Sequence, residues 1–299
     1  MIKQKNKIVL PYLLPAFLLY AIFFVYPAFD ALRISLTDWS GFSAKPNYIG
    51  FENFIRIAKD ENFGIAMENS FIIMVGGGIL IFFFALLFAF LLSNCVGEKT
   101  RKFFLNLFYF PNMISAAAIA VVWGFIFDGN FGIVNSFLTS IGLEKWAIPW
   151  LGSRATGMAV LLFISLWTYM GFYLILINAG ISKIPESFFE AARVEGASRI
   201  KIFFKITMPM IWDVLVIAIS LWIINSLKMF EMVWSLTRGG PANQTHVMGT
   251  YIYQNAFGFL ETQTFQLGYA TACAVVLLLV LMLFVLLFRK VARRETYEF

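Results

Sequence analysis

Six stretches of the chain are almost continuously apolar, near 9–29, 69–94, 104–127, 157–181, 207–235 and 266–288, and polar or charged positions collect between them. Runs of about 20 such residues match the roughly 30 Å hydrocarbon core of a bilayer. Each predicts a membrane-spanning helix, because lipid offers no partner to an unpaired backbone N–H or C=O. The predicted fold class is an all-α membrane protein, a single transmembrane domain over residues 1–299. Its connections fall near 30–68, 95–103, 128–156, 182–206 and 236–265. The basic start leads into an apolar run without a small-residue cleavage site, so it reads as a retained first span.

The fourth connection has a pattern of its own. Within 187–198, Phe188, Ala191, Ala192 and Val194 alternate with Glu190, Arg193 and Glu195 at roughly helical spacing. This predicts a short helix beginning after Pro185 and broken near Gly196. A second helix from Arg199 places Ile200, Phe203, Phe204 and Ile206 toward the membrane and Lys201 and Lys205 toward water, before Pro209 opens or kinks the fifth span. Small residues at Ala191, Ala192, Gly196 and Ala197 let another protein's backbone approach closely, and Glu190 adds a fixed charge. An amphipathic helix resting passively on lipid has the same pattern.

Composition fits the spans: 60% of residues are apolar, mean hydropathy is +0.79 and only 13% are charged, against about 25% charged in soluble domains. The net charge of +6 is scattered among apolar runs and forms no basic domain for nucleic acid. It reads instead as topology. One set of segments carries Lys3, Lys5, Lys7, Lys99, Arg101, Lys102, Lys183, Arg193, Arg199, Lys201, Lys205, Arg289, Lys290, Arg293 and Arg294; the other carries Arg33, Lys45, Arg56, Lys59, Lys145, Arg154 and Arg238. The bias exceeds two to one and places both termini and the fourth connection in the cytoplasm. The outer connections hold Trp39, Tyr48, Phe51, Phe54, Trp146 and Trp150, which suit either an interfacial belt or a docking surface. Cys95 and Cys273 fall near opposite faces, too far apart for a disulfide, and are expected to be free core thiols.

Ionisable residues inside a span are costly and mark a path or a pair. Lys228 and Glu231 lie within the fifth predicted span, three residues apart and so on one helical face. Two readings fit: a self-neutralising ion pair, or the wall of a cavity continued by Asn225 and Ser226. On a helix rising 1.5 Å per residue, Lys228 stands roughly 25 Å above Ile211, in the outward half. The fourth span offers Trp167, Tyr169 and Asn178, aromatic faces and an amide of the kind a sugar site uses, although packing alone also accounts for aromatics. No catalytic residue or metal ligand set emerges: the one histidine, His246, falls in an outer connection, and no acid–base pair faces a nucleophile. The phosphate-binding pattern G-x-x-x-x-G-K-[ST] is absent. Broken mid-membrane helices and inverted halves, expected of an ion-coupled secondary transporter, are not evident.

Glu190-Ala191-Ala192, Gly196-Ala197, Phe203 or Phe204, Ile206 and Pro209, in this order and spacing, resemble the signature of binding-protein-dependent ABC importer permeases. The first span, from Leu14-Pro15 through Tyr26-Pro27, and its exit Ser35-Leu36-Thr37-Asp38-Trp39 resemble the carbohydrate-uptake branch, which includes maltose, multiple-sugar and glycerol-phosphate permeases. So do Ile49-Gly50-Phe51-Glu52-Asn53-Phe54, Phe131-Gly132-Ile133-Val134-Asn135 and Leu236-Thr237-Arg238-Gly239-Gly240-Pro241. Glu195 departs from the family's usual Asp. The resemblance implies that segment 185–209 forms coupling helices, with Glu190, Ala191, Ala192, Gly196, Ala197 and Pro209 transmitting the motion of a cytosolic ATPase. It implies no cofactor in this chain, with ATP and Mg in the partner ATPase dimer. Further implied partners are a second homologous permease, an extracytoplasmic solute-binding protein and membrane lipid. The implied setting is a bacterial cytoplasmic membrane, crossed several times. The implied cargo is a di- or oligosaccharide, or alternatively glycerol phosphate or another polar solute.

Overall fold

The computed structural model describes residues 12–43, 45–258 and 265–292. Lys3, Lys5, Lys7, Arg293 and Arg294, used above to orient the chain, and residues 9–11 of the first predicted span lie outside them. The regular structure is helical: α1 Tyr12–Ile34, α2 Glu52–Ile57, α3 Glu61–Asn94, α4 Glu98–Met113, α5 Ala116–Ile126, α6 Ile133–Ser140, α7 Arg154–Ile181, α8 Glu186–Val194, α9 Arg199–Met210, α10 Trp212–Leu227, α11 Glu231–Leu236, α12 Met248–Phe257 and α13 Leu267–Ala292. Among the described residues the sole β contact is an isolated bridge between Thr37 and Tyr48. Helices α1, α3, α7 and α13 are each long and apolar enough to cross a membrane, and the bent pairs α4–α5 and α9–α10 raise the number to six if each is one span. The residues form two compact units, Met1–Asp60 with Ile252–Leu279 and Glu61–Tyr251 with Val280–Phe299.

In the first unit, no residue of α1 is buried, so its rings, Phe17, Phe23, Phe24 and Phe29 among them, are all open to an apolar surrounding. The segment beyond α1 is held by Asn53, whose amide donates to the carbonyls of Ser35 and Thr37, both at 2.9 Å. The start of α13 is stitched to the same segment: Gly268 N–H donates to the Trp39 carbonyl, the Tyr269 hydroxyl to Asp60, and the Arg56 guanidinium lies 4.2 Å over the Tyr269 ring. A side chain at Gly268 would overlap the Thr37 carbonyl, which is why a glycine stands there. Asp38 accepts from the Asn47 side-chain amide and backbone N–H, and these bonds hold its carboxyl below the ordinary carboxylate range.

The second unit is built around α7, which buries Leu161, Ile164, Tyr173, Leu174 and Ile177 against α3, α4 and α10. Its glycines set how closely those neighbours approach. At Gly171 an added Cβ would overlap the Phe108 backbone carbonyl of α4, and at Gly180 it would press on Val214 of α10 at 3.0 Å. Small residues let membrane helices pack by dispersion where lipid removes the hydrophobic drive. The run Gly76-Gly77-Gly78 in α3 has a related use. Winding widens to a π-type turn at Ile73–Gly77, and the Trp222 indole donates to the Met74 carbonyl there at 2.7 Å. A Cβ at Gly77 or Gly78 would come within 2.9 or 2.8 Å of that indole.

Two expected spans are not single helices. The third, expected over 104–127, bends by 92° between α4 and α5. Pro111 lies in a tight turn, Phe110–Met113, and the Ser115 hydroxyl then caps the next helix by accepting from Ala118 N–H. The fifth, expected over 207–235, bends by 70° at Ile211, just after Pro209, and ends at Lys228 before α11 restarts at Glu231. Proline lacks the N–H that would continue the ladder. Helix α3 starts at Glu61, before the expected 69–94 run, because its first turns carry Asn62, Gly64 and Glu68 within a regular helix. Both cysteines are free as expected, but Cys95 is exposed rather than in the core: it follows the last turn of α3 as its C-terminal cap, beyond the helix packing.

Candidate functional site

The segment 185–209 folds as two short helices joined by a glycine turn. Pro185 supplies the fixed φ before α8, and Glu186 occupies the first turn, where a carboxylate meets unpaired N–H groups. Gly196 takes φ +74°, its N–H donates to the Arg193 carbonyl at 3.0 Å, and Ala197 N–H reaches back to the Ala192 carbonyl at 2.9 Å. This is the paired bonding of a Schellman stop, which places a left-handed residue at the position after the cap. Ser198 caps α9 at once, its hydroxyl accepting from Lys201 N–H. Two interactions brace the arrangement: Glu186 with Arg193 across α8, and Arg199 to the Asn94 carbonyl at the end of α3, 2.6 Å.

Burial divides the predicted residues here. Glu190, Ala191 and Gly196 are exposed, Ala197 and Pro209 are partly covered, and Ala192 is buried under α8. Val194, 89% exposed, projects beside them, and Phe188 is open as well. The exposed surface of α8 is thus a small knob on which Phe188, Ala191 and Val194 stand beside the charged Glu186, Glu190 and Arg193. The expected apolar side of α9 splits: Phe203 turns inward against Phe90, ring centres 5.2 Å apart, whereas Ile200 and Phe204 stay exposed.

At the other end of α10 a cavity of about 470 Å³, mainly apolar but carrying several polar groups, opens between α10, α11 and α7. It gathers Tyr169, Asn225, Lys228 and Glu231 from the predicted set and adds Tyr173, Trp222 and Ala116. Lys228 caps α10 and Glu231 opens α11, so they do not share one helical face as expected; the chain turns at Met229-Phe230 between them. Ion pairs join Arg33 to Asp30, Lys102 to Glu98, Arg154 to Glu68 and Arg193 to Glu186, whereas none joins Lys228 to Glu231. The aromatic wall is ordered, with Tyr169 and Tyr173 each about 6 Å from Trp222, at 6.0 and 6.1 Å.

Three predicted residues lie elsewhere. Trp167 stacks edge-on to Trp123 and lines an apolar cavity with Phe84, Phe108 and Phe163. Asn178 is half-buried near the far end of α7, where its backbone carbonyl accepts from the Ser182 hydroxyl. Ser226 is fully buried and donates to the Ile223 carbonyl of its own helix. Tyr173 and Trp222 went unpredicted, although the signal is present: Tyr173 follows Tyr169 by one helical turn, and Trp222 precedes Asn225 by three residues.

The Leu236-to-Pro241 motif folds into a knot on the same unit. Arg238, Gly239, Ala242 and Asn243 all take positive φ, and the Thr245 hydroxyl donates to the Gly240 carbonyl. The buried Asn69 amide donates to the carbonyls of Gln244 and His246, both at 2.8 Å, while its oxygen accepts from Arg154 Nε. Asn69→Ala removes the donor from the buried His246 carbonyl and from the part-buried Gln244 carbonyl, and is expected to cost about 1–3 kcal/mol for the buried one with a smaller addition for the other. A lowered unfolding midpoint for the purified protein checks this; an unchanged midpoint would contradict it.

The family model for the binding-protein-dependent transport system inner membrane component matches residues 81–297. A probable ABC transporter permease protein of Bacillus subtilis, YurN, is 34% identical over 278 residues, covering 93% of each chain. The diacetylchitobiose uptake system permease protein NgcF of Streptomyces coelicolor is 30% identical, over 89% of this chain and 76% of that one. The sn-glycerol-3-phosphate transport system permease protein UgpA of Escherichia coli O157:H7 is 30% identical, over 97% and 96%. A crystal structure of a bacterial ABC transporter involved in import of the acidic polysaccharide alginate shares the fold, with a TM-score of 0.81 at 24% identity over 98% of both chains. With the family model spanning both the α8–α9 segment and the α10–α11 cavity, this chain belongs to the family of binding-protein-dependent transport system inner membrane components.

Proposed function

We propose that this chain is the permease subunit of an ATP-driven importer that carries a di- or oligosaccharide across the cytoplasmic membrane by alternating access. The observation that carries the reading is continuity: the exposed α8 knob runs through α9 and the Pro209 bend into α10, whose far end lines the cavity. In this reading Glu190, Ala191, Ala192, Gly196 and Ala197 seat in a partner ATPase, and Pro209 relays its motion. ATP and Mg act in that partner. ATP binding there favours the outward-facing state through contacts made differently in the two states, as any population shift requires. A second, similar permease completes the pathway, and a solute-binding protein delivers cargo from outside. Both termini and α8 face the cytoplasm, supported by the Lys and Arg bias.

In the cavity, the Tyr169 ring, backed by the buried Tyr173 and Trp222, offers a flat face to a sugar ring, while Asn225, Lys228 and Glu231 supply donors and acceptors. The permeases for diacetylchitobiose and for sn-glycerol-3-phosphate among its relatives support a polar, hydroxyl-bearing solute. Lys228 on the cavity wall favours glycerol phosphate as the second reading. Uptake by the reconstituted complex decides between them. Glu231→Gln and Asn225→Ala are expected to raise KM for a disaccharide on the order of tenfold with assembly intact, the loss of one or two charged or polar contacts. Lys228→Met is expected to match them for a sugar but to abolish uptake of glycerol phosphate. Unchanged KM in all three variants would remove the cavity from the pathway.

A further inference from the structure

The hollow beside α8 carries chemistry that neither docking nor solute handling uses. It measures about 700 Å³ and lies between the end of α3, Arg101 of α4 and the inner faces of α8 and α9. Three guanidiniums line it, from Arg101, Arg193 and Arg199, against one carboxylate, Glu186. That carboxylate is already bonded to Arg193. Arg199 commits one nitrogen to the Asn94 carbonyl. Arg101 Nε is closed off from solvent and meets no acceptor; Glu98, whose carboxyl Arg101 helps hold below the usual range, is bonded first to Lys102. Among the described residues Arg199 therefore has no carboxylate partner, and Arg101, which feels Glu98 only alongside the bonded Lys102, keeps a shielded donor unmet.

A guanidinium's planar fork matches the oxygen pairs of phosphate, and basic recesses at the cytoplasmic ends of membrane helices take anionic headgroups. We propose that this hollow is a phosphate-binding site, in which Arg101 and Arg199 clasp the phosphodiester of an acidic phospholipid or a soluble phosphate. On the same helix as Arg199, Ile200 and Phe204 are exposed and apolar. Of the proposed docking residues the site meets only Ala197, which lines its edge. Glu186, Phe189 and Arg193 recur at i, i+3 and i+7 along the face of α8 that lines the hollow, while Glu190, Ala191 and Val194 do not line it. A bound phosphate joins α4 to α9 and so stiffens the second helix of the segment from behind.

The test reads binding by the permease itself, whether or not the transport role holds. The protein, with whatever subunits copurify, is extracted from membranes and examined by native mass spectrometry after exchange with phosphatidylglycerol or phosphatidylcholine. In parallel, radiolabelled inorganic phosphate is bound to protein in vesicles of phosphatidylcholine alone. A lipid source predicts retention of phosphatidylglycerol over phosphatidylcholine by on the order of tenfold, lost in the Arg101→Gln, Arg199→Gln double variant and kept in the Arg101→Lys, Arg199→Lys variant. A soluble source predicts no lipid preference but saturable phosphate binding with the same dependence on the two arginines. If the double glutamine variant does not assemble, Ser182→Glu places a carboxylate in the hollow and is expected to expel the anion. Lipid preference and phosphate binding that are both absent, or both indifferent to these substitutions, overturn the proposal.

Discussion

Replacing Gly196 by proline is expected to abolish uptake and release the partner's ATP hydrolysis from transport, while the chain still inserts in the membrane. Proline fixes φ near −65° and removes the N–H, whereas Gly196 stands at φ +74° and donates to the Arg193 carbonyl. The Schellman stop cannot form, so α8 and α9 lose their fixed angle and Glu190 no longer meets its partner in register. Gly196→Ala provides the calibration. Nothing lies within 4 Å of an added Cβ, so alanine carries only the left-handed penalty of about 1–2 kcal/mol, and partial uptake is expected. Glu190→Lys, which reverses an unpaired acid on the knob without touching the turn, is expected to match proline. Solute uptake and ATPase rate in reconstituted vesicles, measured side by side, test all three. Full, ATP-coupled uptake by Gly196→Pro would refute the relay.

Gly171→Ala is expected to have the largest effect on the fold itself. The added methyl would overlap the carbonyl oxygen and carbon of Phe108 and the nitrogen of Tyr109, all backbone atoms of α4. No side-chain rotation relieves such a clash, so α7 and α4 must move apart. Their separation breaks the close packing on which membrane helices rely, and overpacking of this kind costs about 1–3 kcal/mol or more. A several-fold drop in folded protein and a lower melting midpoint, read by fluorescence-detected size exclusion, are expected. Gly157→Ala is the control: its methyl would meet only the Thr245 side-chain methyl, at 3.2 Å, and a mild shift should follow. Equal behaviour of the two variants would mean that the packing of α4 on α7 does not limit stability.

Span positions were legible because the apolar runs are long, and α7 and α13 follow them closely. What the runs concealed were the breaks. The bend after Pro209 is the one that a proline marks where a kink is expected; hydropathy does not register that Pro111 interrupts the ladder, nor that Phe230 turns the chain between Lys228 and Glu231, so an unbroken helical face was expected where two helix ends meet. The α8–α9 segment was readable in detail because its signals are local: Pro185 before α8, Gly196 after it and Pro209 at the end of α9. The cavity was half readable. Tyr169, Asn225, Lys228 and Glu231 stood out as polar or ionisable groups in apolar runs, but Trp222 and Tyr173 are aromatic in a chain with 18% aromatics, and only tertiary packing separates the wall from the core.

The indole of Trp222 has a consequence for how events in the cavity are felt. One face of this side chain backs Tyr169 and Tyr173, while its nitrogen rests on the Met74 carbonyl inside the widened turn of α3. A widened turn can migrate along a helix by one residue at a time, but this one is pinned by a donor from another helix. A tilt of the aromatic wall therefore pulls on the pin, and a shift in the winding of α3 tilts the wall. A single carbonyl thus works as a latch between the cavity wall and the pitch of α3.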